Sequence, residues 1–242
     1  MRFFFLFPLL FVLPAHAQPL TYTRLTSGTG FVVNREGHVI TNAHVVQACQ
    51  SISILTPEGE LPATLVASDR ERDLAVLKAP SFRGKAIAPL RWNIDGLRVG
   101  DAVIVMGFPG EEGSTGHSQF KKTTVTSLSG PTGEPNRIQL KSVARHGNSG
   151  GPVLDTSGNV IAVITGIALT YKVQPDGRIG REALGQSDFA ITLPALQDFL
   201  RDYRIQSYKS SSGQIARADS VIQDNGHSFI VPVRCIQGTE QR

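Results

Sequence analysis

Short apolar runs broken by glycine, proline and charged turns dominate the chain, and apolar positions at helical spacing stand out in one place only. Ser27 to Val33 passes from a glycine turn into a buried strand. Asn34-Arg35-Glu36-Gly37 makes a turn, and His38–Thr41 returns, which predicts a β-hairpin. One helical turn is expected over Asn42–Val46. Further strands are read at Ser51–Leu55, Leu61–Ala67 and Leu74–Lys78, the last two linked by the charged stretch Asp69–Asp73. Ala102–Met106 is a continuous apolar run that ends at Gly107-Phe108-Pro109-Gly110. Glu111–Gly116 reads as a crossover between two halves. The second half repeats the habit at Thr123–Leu128, Arg137–Leu140, Val153–Leu154, Val160–Ile167 and Phe189–Ile191. Strands this short and frequent predict an all-β sandwich or barrel. From Pro194 to Arg204, Leu196, Phe199, Leu200 and Tyr203 recur at three and four residues and predict a helix, with Pro194 suited to its first turn. Tyr208–Gly213 reads as a polar, flexible link. Phe229–Val233 reads as a short edge strand, because Pro232 cannot donate to a ladder.

Composition agrees with this picture. The 242 residues include 24 glycines and 14 prolines and are 18% charged, which suits a turn-rich β protein. Arg2, the apolar run Phe3–Leu13 and the small residues of Ala15-His16-Ala17 predict a secretory signal peptide over residues 1–17, with Gln18 first in the exported chain. The formal net charge of +4 is not gathered into a dense basic run, so nucleic-acid binding is not indicated. No later stretch has the length of a membrane anchor. Export to the periplasm or the medium makes a Cys49–Cys235 disulfide the expected state of the two cysteines, closing a long loop worth ~4–5 kcal/mol. Neither cysteine has a second ligand at metal spacing, so no metal is expected.

The candidate chemistry lies in Arg145-His146-Gly147-Asn148-Ser149-Gly150-Gly151-Pro152. A serine hydroxyl becomes a nucleophile only when a base takes its proton and donors neutralise the resulting oxyanion. The glycine two residues before Ser149 permits a tight turn with a free N–H. A glycine turn between strands is the plain alternative for this stretch taken alone. Candidate bases are His38, His44, His117, His146 and His227. His44 stands out because Ala43 and Val45-Val46 frame it, although a core histidine satisfied by a carbonyl fits the same frame. Asp73 begins the apolar run Leu74–Leu77 and is better placed than Asp69 to be desolvated against an imidazole.

Ser27-Gly28-Thr29-Gly30-Phe31-Val32-Val33, Ile40-Thr41-Asn42-Ala43-His44-Val45-Val46, Arg72-Asp73-Leu74-Ala75-Val76-Leu77-Lys78 and Gly147–Leu154 together resemble the trypsin-like protease domain of the HtrA/Deg group. The order His, Asp, Ser is the chymotrypsin-type order. The resemblance spans about Thr26 to Arg204. It implies two six-stranded antiparallel β-barrels: the first about residues 20–110 and the second about 117–193, followed by the helix 194–204. The whole domain would be 18–205, and 206–242 a C-terminal extension carrying Cys235. His44, Asp73 and Ser149 would be the triad, and the N–H groups of Gly147 and Ser149 the oxyanion hole. No cofactor would be needed.

The chain departs from the group in three ways, one of them the Ser-rich tail that ends in Cys235, and it differs from chymotrypsin-type zymogens at Asn148. The segment after Arg204 is too short for the PDZ domain that HtrA proteins carry. Arg145 and His146 are bulky and would line the rim of the primary pocket. Asn148 cannot supply the charge that pairs with a new N-terminus in chymotrypsin-type activation. Val143 and Ala144 would form the pocket wall, with Ala190 on the closing strand. Lacking an aspartate in that wall, the pocket is expected to take a small or medium apolar residue. Protein or peptide substrates are therefore expected. The alternative is a protease-fold binding or scaffold protein whose oxyanion loop is closed by Arg145-His146. Oligomeric state is not legible.

Overall fold

In the computed structural model, residues 21–80, 86–110, 118–173, 179–210 and 215–241 are described. The signal peptide expected over residues 1–17, the crossover expected over Glu111–Gly116 and His117 lie outside them. The elements in chain order are β1 (Thr21–Val32), β2 (His38–Thr41), a 3-10 turn (His44–Val46), β3 (Cys49–Thr56), β4 (Gly59–Asp69), β5 (Leu74–Lys78), β6 (Leu90–Arg91), β7 (Ala102–Gly107), β8 (Gln119–Ser127), β9 (Arg137–Lys141), β10 (Pro152–Leu154), β11 (Val160–Val173), β12 (Ile179–Thr192), α1 (Leu193–Asp202), β13 (Lys209–Ser210), α2 (Asp219–Phe229) and β14 (Ile230–Gln241).

They form two closed six-stranded antiparallel barrels. The first runs β1-β14-β3-β4-β5-β2. The second runs β10-β7-β8-β9-β12-β11 and closes through β10–β11 pairing. The parallel pairs β11–β6 and β6–β13 hang from it. Each barrel has its own apolar interior, Val39, Val45, Ile54, Leu77 and Val233 in the first and Val103, Val105, Leu140, Val153 and Ile161 in the second. A third cluster joins the two barrels, with Phe31, Ile40, Val76, Ile104, Met106 and Leu154 packed against Leu196 and Phe199 of α1 and Ile222 and Phe229 of α2. β7 shows why its sequence is apolar throughout. Val103 and Val105 face the barrel interior while Ile104 and Met106 face the inter-barrel cluster, so both faces are buried.

Four expectations are corrected. β7 pairs with β8 and β10, so the first barrel ends before it and not near residue 110. The strand read at Phe229–Val233 as a short edge is β14, which pairs with β1 on one side and β3 on the other. Pro232 lies opposite Thr29 and just outside the stretch paired with β3, which begins at Val233, so its missing N–H does not interrupt that ladder. The described residues of the stretch 206–242 are therefore no appendage. They hold the strand that closes the first barrel, locked by the Cys49–Cys235 disulfide (Cα–Cα 5.4 Å). Lys209 and Ser210, read as part of a link, pair with β6.

The helix α2 escaped the sequence reading because Asp219–Phe229 is mostly polar and carries Gly226. Its buried face is only Ile222, Gly226 and Phe229, at spacings of four and three. α1 ends at Asp202, two residues before the expected end, and Arg204 takes a left-handed φ of 57°. Among the described residues no helix is long and apolar enough to cross a membrane.

Candidate active site

The first barrel supplies a histidine and an aspartate. His44 opens the 3-10 turn after β2, and Val45 and Val46 behind it are buried in the barrel interior, so the turn is fixed while the imidazole stays outside. Its side chain is 45% exposed, more open than its apolar frame suggests. Asp73 precedes β5 with a left-handed φ of 58°, a conformation aspartate tolerates better than most residues. Asn42 Nδ2 donates to the Asp73 carbonyl at 2.8 Å and holds that turn. His44 Nδ1 lies 3.0 and 2.9 Å from the two Asp73 carboxylate oxygens, and the His44 backbone N–H donates to Oδ1 at 3.1 Å. The Thr165 hydroxyl of β11 donates to Oδ2, so the second barrel also grips Asp73. Burial pushes the Asp73 carboxyl up, but the hydrogen bonds from His44 and Thr165 outweigh it and hold the group below its ordinary range.

The Ser149 loop meets the same ground. A Cβ on Gly28 would lie 2.7 Å from Val45 Cγ2 and 2.9 Å from the Ser149 carbonyl oxygen. The His44 turn and the Ser149 loop thus converge on one point of β1, where only glycine fits. Gly150 sits against Thr41 and Asn42, the residues leading to His44. Thr29, wholly buried, ties the loop down. Its N–H donates to the Ser149 carbonyl at 2.8 Å and its hydroxyl to the Gly147 carbonyl at 2.7 Å. That hydroxyl also accepts the Phe108 N–H at 2.9 Å.

Two peptide planes in the loop are pinned through their carbonyls. His146 O accepts the Gly110 N–H, and Asn148 O accepts the Gly151 N–H, both at 2.9 Å. The C=O and N–H of a trans peptide point in opposite directions, so the N–H groups of Gly147 and Ser149 are turned away from those anchors. Among the described residues neither donates a backbone hydrogen bond. Gly147 holds φ at 93°, and a Cβ there would meet the Phe108 carbonyl at 2.3 Å.

The other candidates fall as follows. Arg145 and His146 are exposed, Val143 is half-buried, and Ala144 and Ala190 are buried in the second barrel's interior cluster. Asn148 is buried, with its Nδ2 donating to Gln119 at 3.2 Å. His38 contacts Asn34 and Lys78 well away from this loop, and burial with the Lys78 charge lowers its pKa. His227 pairs with Ser118. Among the described residues no three His, Cys, Asp or Glu side chains gather as metal ligands do. Sequence reasoning missed Thr29, Asn42, Thr165 and Asp188. Thr165 is a hydroxyl in an otherwise apolar strand segment, and Asp188 is an acid directly before Phe189-Ala190-Ile191, which are the signals that could have marked them.

Comparison with known proteins agrees with this architecture. Residues 28–163 match the family model described as a trypsin-like peptidase domain. An uncharacterized protein, y4bJ, of Sinorhizobium fredii is 34% identical over 221 residues, 90% of this chain and 34% of that protein. A probable periplasmic serine endoprotease, DegP-like, of Brucella suis is 35% identical over 156 residues, 64% of this chain and 29% of that protein. The serine endoprotease DegS of Escherichia coli K12 is 31% identical over 185 residues, 74% of this chain and 50% of that protein. The chain thus spans from under a third to half of the length of these curated relatives. Among solved structures, the HtrA-type protease AlgW with a decapeptide superposes with a TM-score of 0.58 at 26% identity, covering 73% of this chain and 51% of that one. The fold and the family model together place this chain in the trypsin-like peptidase family.

Proposed function

We propose that the chain is an exported serine endopeptidase in which His44, Asp73 and Ser149 act as the triad. The observation that carries this reading is the double approach of His44 Nδ1 to the Asp73 carboxylate, beside a Ser149 loop packed on the same glycine of β1. Asp73 fixes the tautomer with the proton on Nδ1 and leaves Nε2 as the base for the Ser149 hydroxyl. Ser149 Oγ attacks the scissile carbonyl, His44 takes the proton and returns it to the leaving amine, and the N–H groups of Gly147 and Ser149 receive the oxyanion. Water then releases the acyl group by the same route in reverse. Substrates are proteins or peptides cleaved after a small or medium apolar residue, since Val143 and Ala144 present no charge to the pocket. The compartment is the periplasm or the medium, in keeping with the Cys49–Cys235 bond and with the DegP-like relative described as periplasmic.

Solvent-exposed Arg145 and His146 favour an open loop over one collapsed into a scaffold. The test is labelling of the purified, processed protein by a fluorophosphonate probe beside Ser149→Ala. Labelling of the wild type alone is expected. A folded, disulfide-bonded sample that does not label would refute the reading.

A further inference from the structure

Asp188 is an ionisable side chain on β12 with no exposed surface, and the triad mechanism does not use it. Its backbone pairs with Leu140 of β9, so its carboxyl group reaches the chain that leaves that strand. One oxygen, Oδ2, accepts the N–H groups of both Val143 and Ala144 at 2.6 Å. The other, Oδ1, accepts the Ser142 hydroxyl at 3.3 Å. Successive backbone N–H groups that cup one oxygen form an anion nest, here filled by a side chain of the same barrel. Such charge-assisted bonds exceed ordinary amide bonds in strength.

The position of this nest matters more than its strength. Ala144 is followed by Arg145, whose carbonyl accepts the Asn148 N–H at 3.0 Å, and by His146, pinned on Gly110. The segment 143–151 is therefore held at its start by Asp188, through the N–H groups of Val143 and Ala144, and further along by Thr29, which grips the carbonyls of Gly147 and Ser149. Only tertiary contact supplies these anchors, because residues 142–151 belong to no strand or helix.

We infer that Asp188 is a positioning residue, which clamps the 142–144 pocket wall through its backbone and thereby sets the oxyanion N–H groups of Gly147 and Ser149. This rests on the serine endopeptidase reading. It adds a role for a buried acid that does not touch substrate.

The test compares wild type, Asp188→Asn and Asp188→Ala, each checked for fold by circular dichroism. Steady-state cleavage is measured on peptides carrying an apolar residue or Arg before the scissile bond. Hydrogen exchange of the 142–149 segment is followed in parallel. Asparagine retains an oxygen for both N–H groups, so Asp188→Asn should keep kcat within about tenfold of wild type, the loss of charge assistance alone. Asp188→Ala should lower kcat about 100-fold with a smaller change in KM, as expected when donors shift by about an ångström. The Val143 and Ala144 amides should stay protected in wild type and Asn and exchange quickly in Ala. If Ala does not fold, protected amides and retained kcat in Asn support the clamp, and their loss in a folded Asn variant overturns it. A folded Ala variant with wild-type kcat, or a rise in KM alone, also overturns it. So does a wild-type preference for Arg that vanishes in Asn, which would make Asp188 a pocket charge. A wild type inert to the probe but with protected amides would sink the protease reading while leaving the clamp standing.

Discussion

Removing the Cys49–Cys235 bond should cost this fold a large share of its stability. The bond joins residues 186 apart, from β3 to β14, and a loop of that length corresponds to about 5 kcal/mol of denatured-state entropy. Domains of this kind hold ~5–15 kcal/mol in total. The effect is directed as well as large. β14 is the strand between β1 and β3, and without it the barrel that carries His44 and Asp73 is open. The perturbation is the double substitution Cys49→Ala with Cys235→Ala. Cys235 is wholly buried, and alanine keeps that site apolar. Urea unfolding of the oxidised wild type and the double variant, at one pH and with slopes compared, measures the difference. We expect a loss near the loop-entropy figure and a matching fall in fluorophosphonate labelling as the midpoint is approached. A loss under about 1 kcal/mol at unchanged slope would refute the reasoning, because it would mean that β14 is already held near β3 in the denatured chain.

Three further outcomes follow from the site. Gly28→Ala drives a Cβ into Val45 and the Ser149 carbonyl, and should destabilise by about 1–3 kcal/mol while slowing probe labelling. Wild-type labelling and unfolding midpoint would count against the convergence of the two segments there. Thr29→Val keeps the shape but strands the Gly147 carbonyl and the Phe108 N–H, a loss of about 3 kcal/mol in urea unfolding, and a change under about 0.5 kcal/mol would exclude that role. The lowered pKa of Asp73 means that the native state holds this proton less tightly than the unfolded chain. Its contribution is therefore fully present above the unfolded carboxylate value of ~3.9 and is lost as pH falls from there through the lower native value. Acid unfolding of wild type against Asp73→Asn should show a steeper decline for wild type in that window, and parallel curves would contradict it.

Much of this protein is written in local pattern. Alternation and short apolar runs located most strands, because a side chain buried on one face of a sheet needs an apolar residue at every second position. The Pro194 helix showed the three-and-four spacing of a single buried face. His44 and Asp73 could be singled out because each breaks or borders an apolar run, and Ser149 because glycines surround it. Tertiary structure decided what depends on partners far along the chain. The polar stretch Thr21–Thr26 is a strand only because β14 pairs with it, and β14 is internal only because the barrel closes around it. α2 is helical on three buried residues that rest on the inter-barrel cluster. Thr29, Thr165 and Asp188 acquire their contacts across 118, 92 and 44 residues of sequence. A hydrogen bond over such separations leaves no periodicity in the chain, since the chain encodes spacing along an element and the fold alone sets which elements meet.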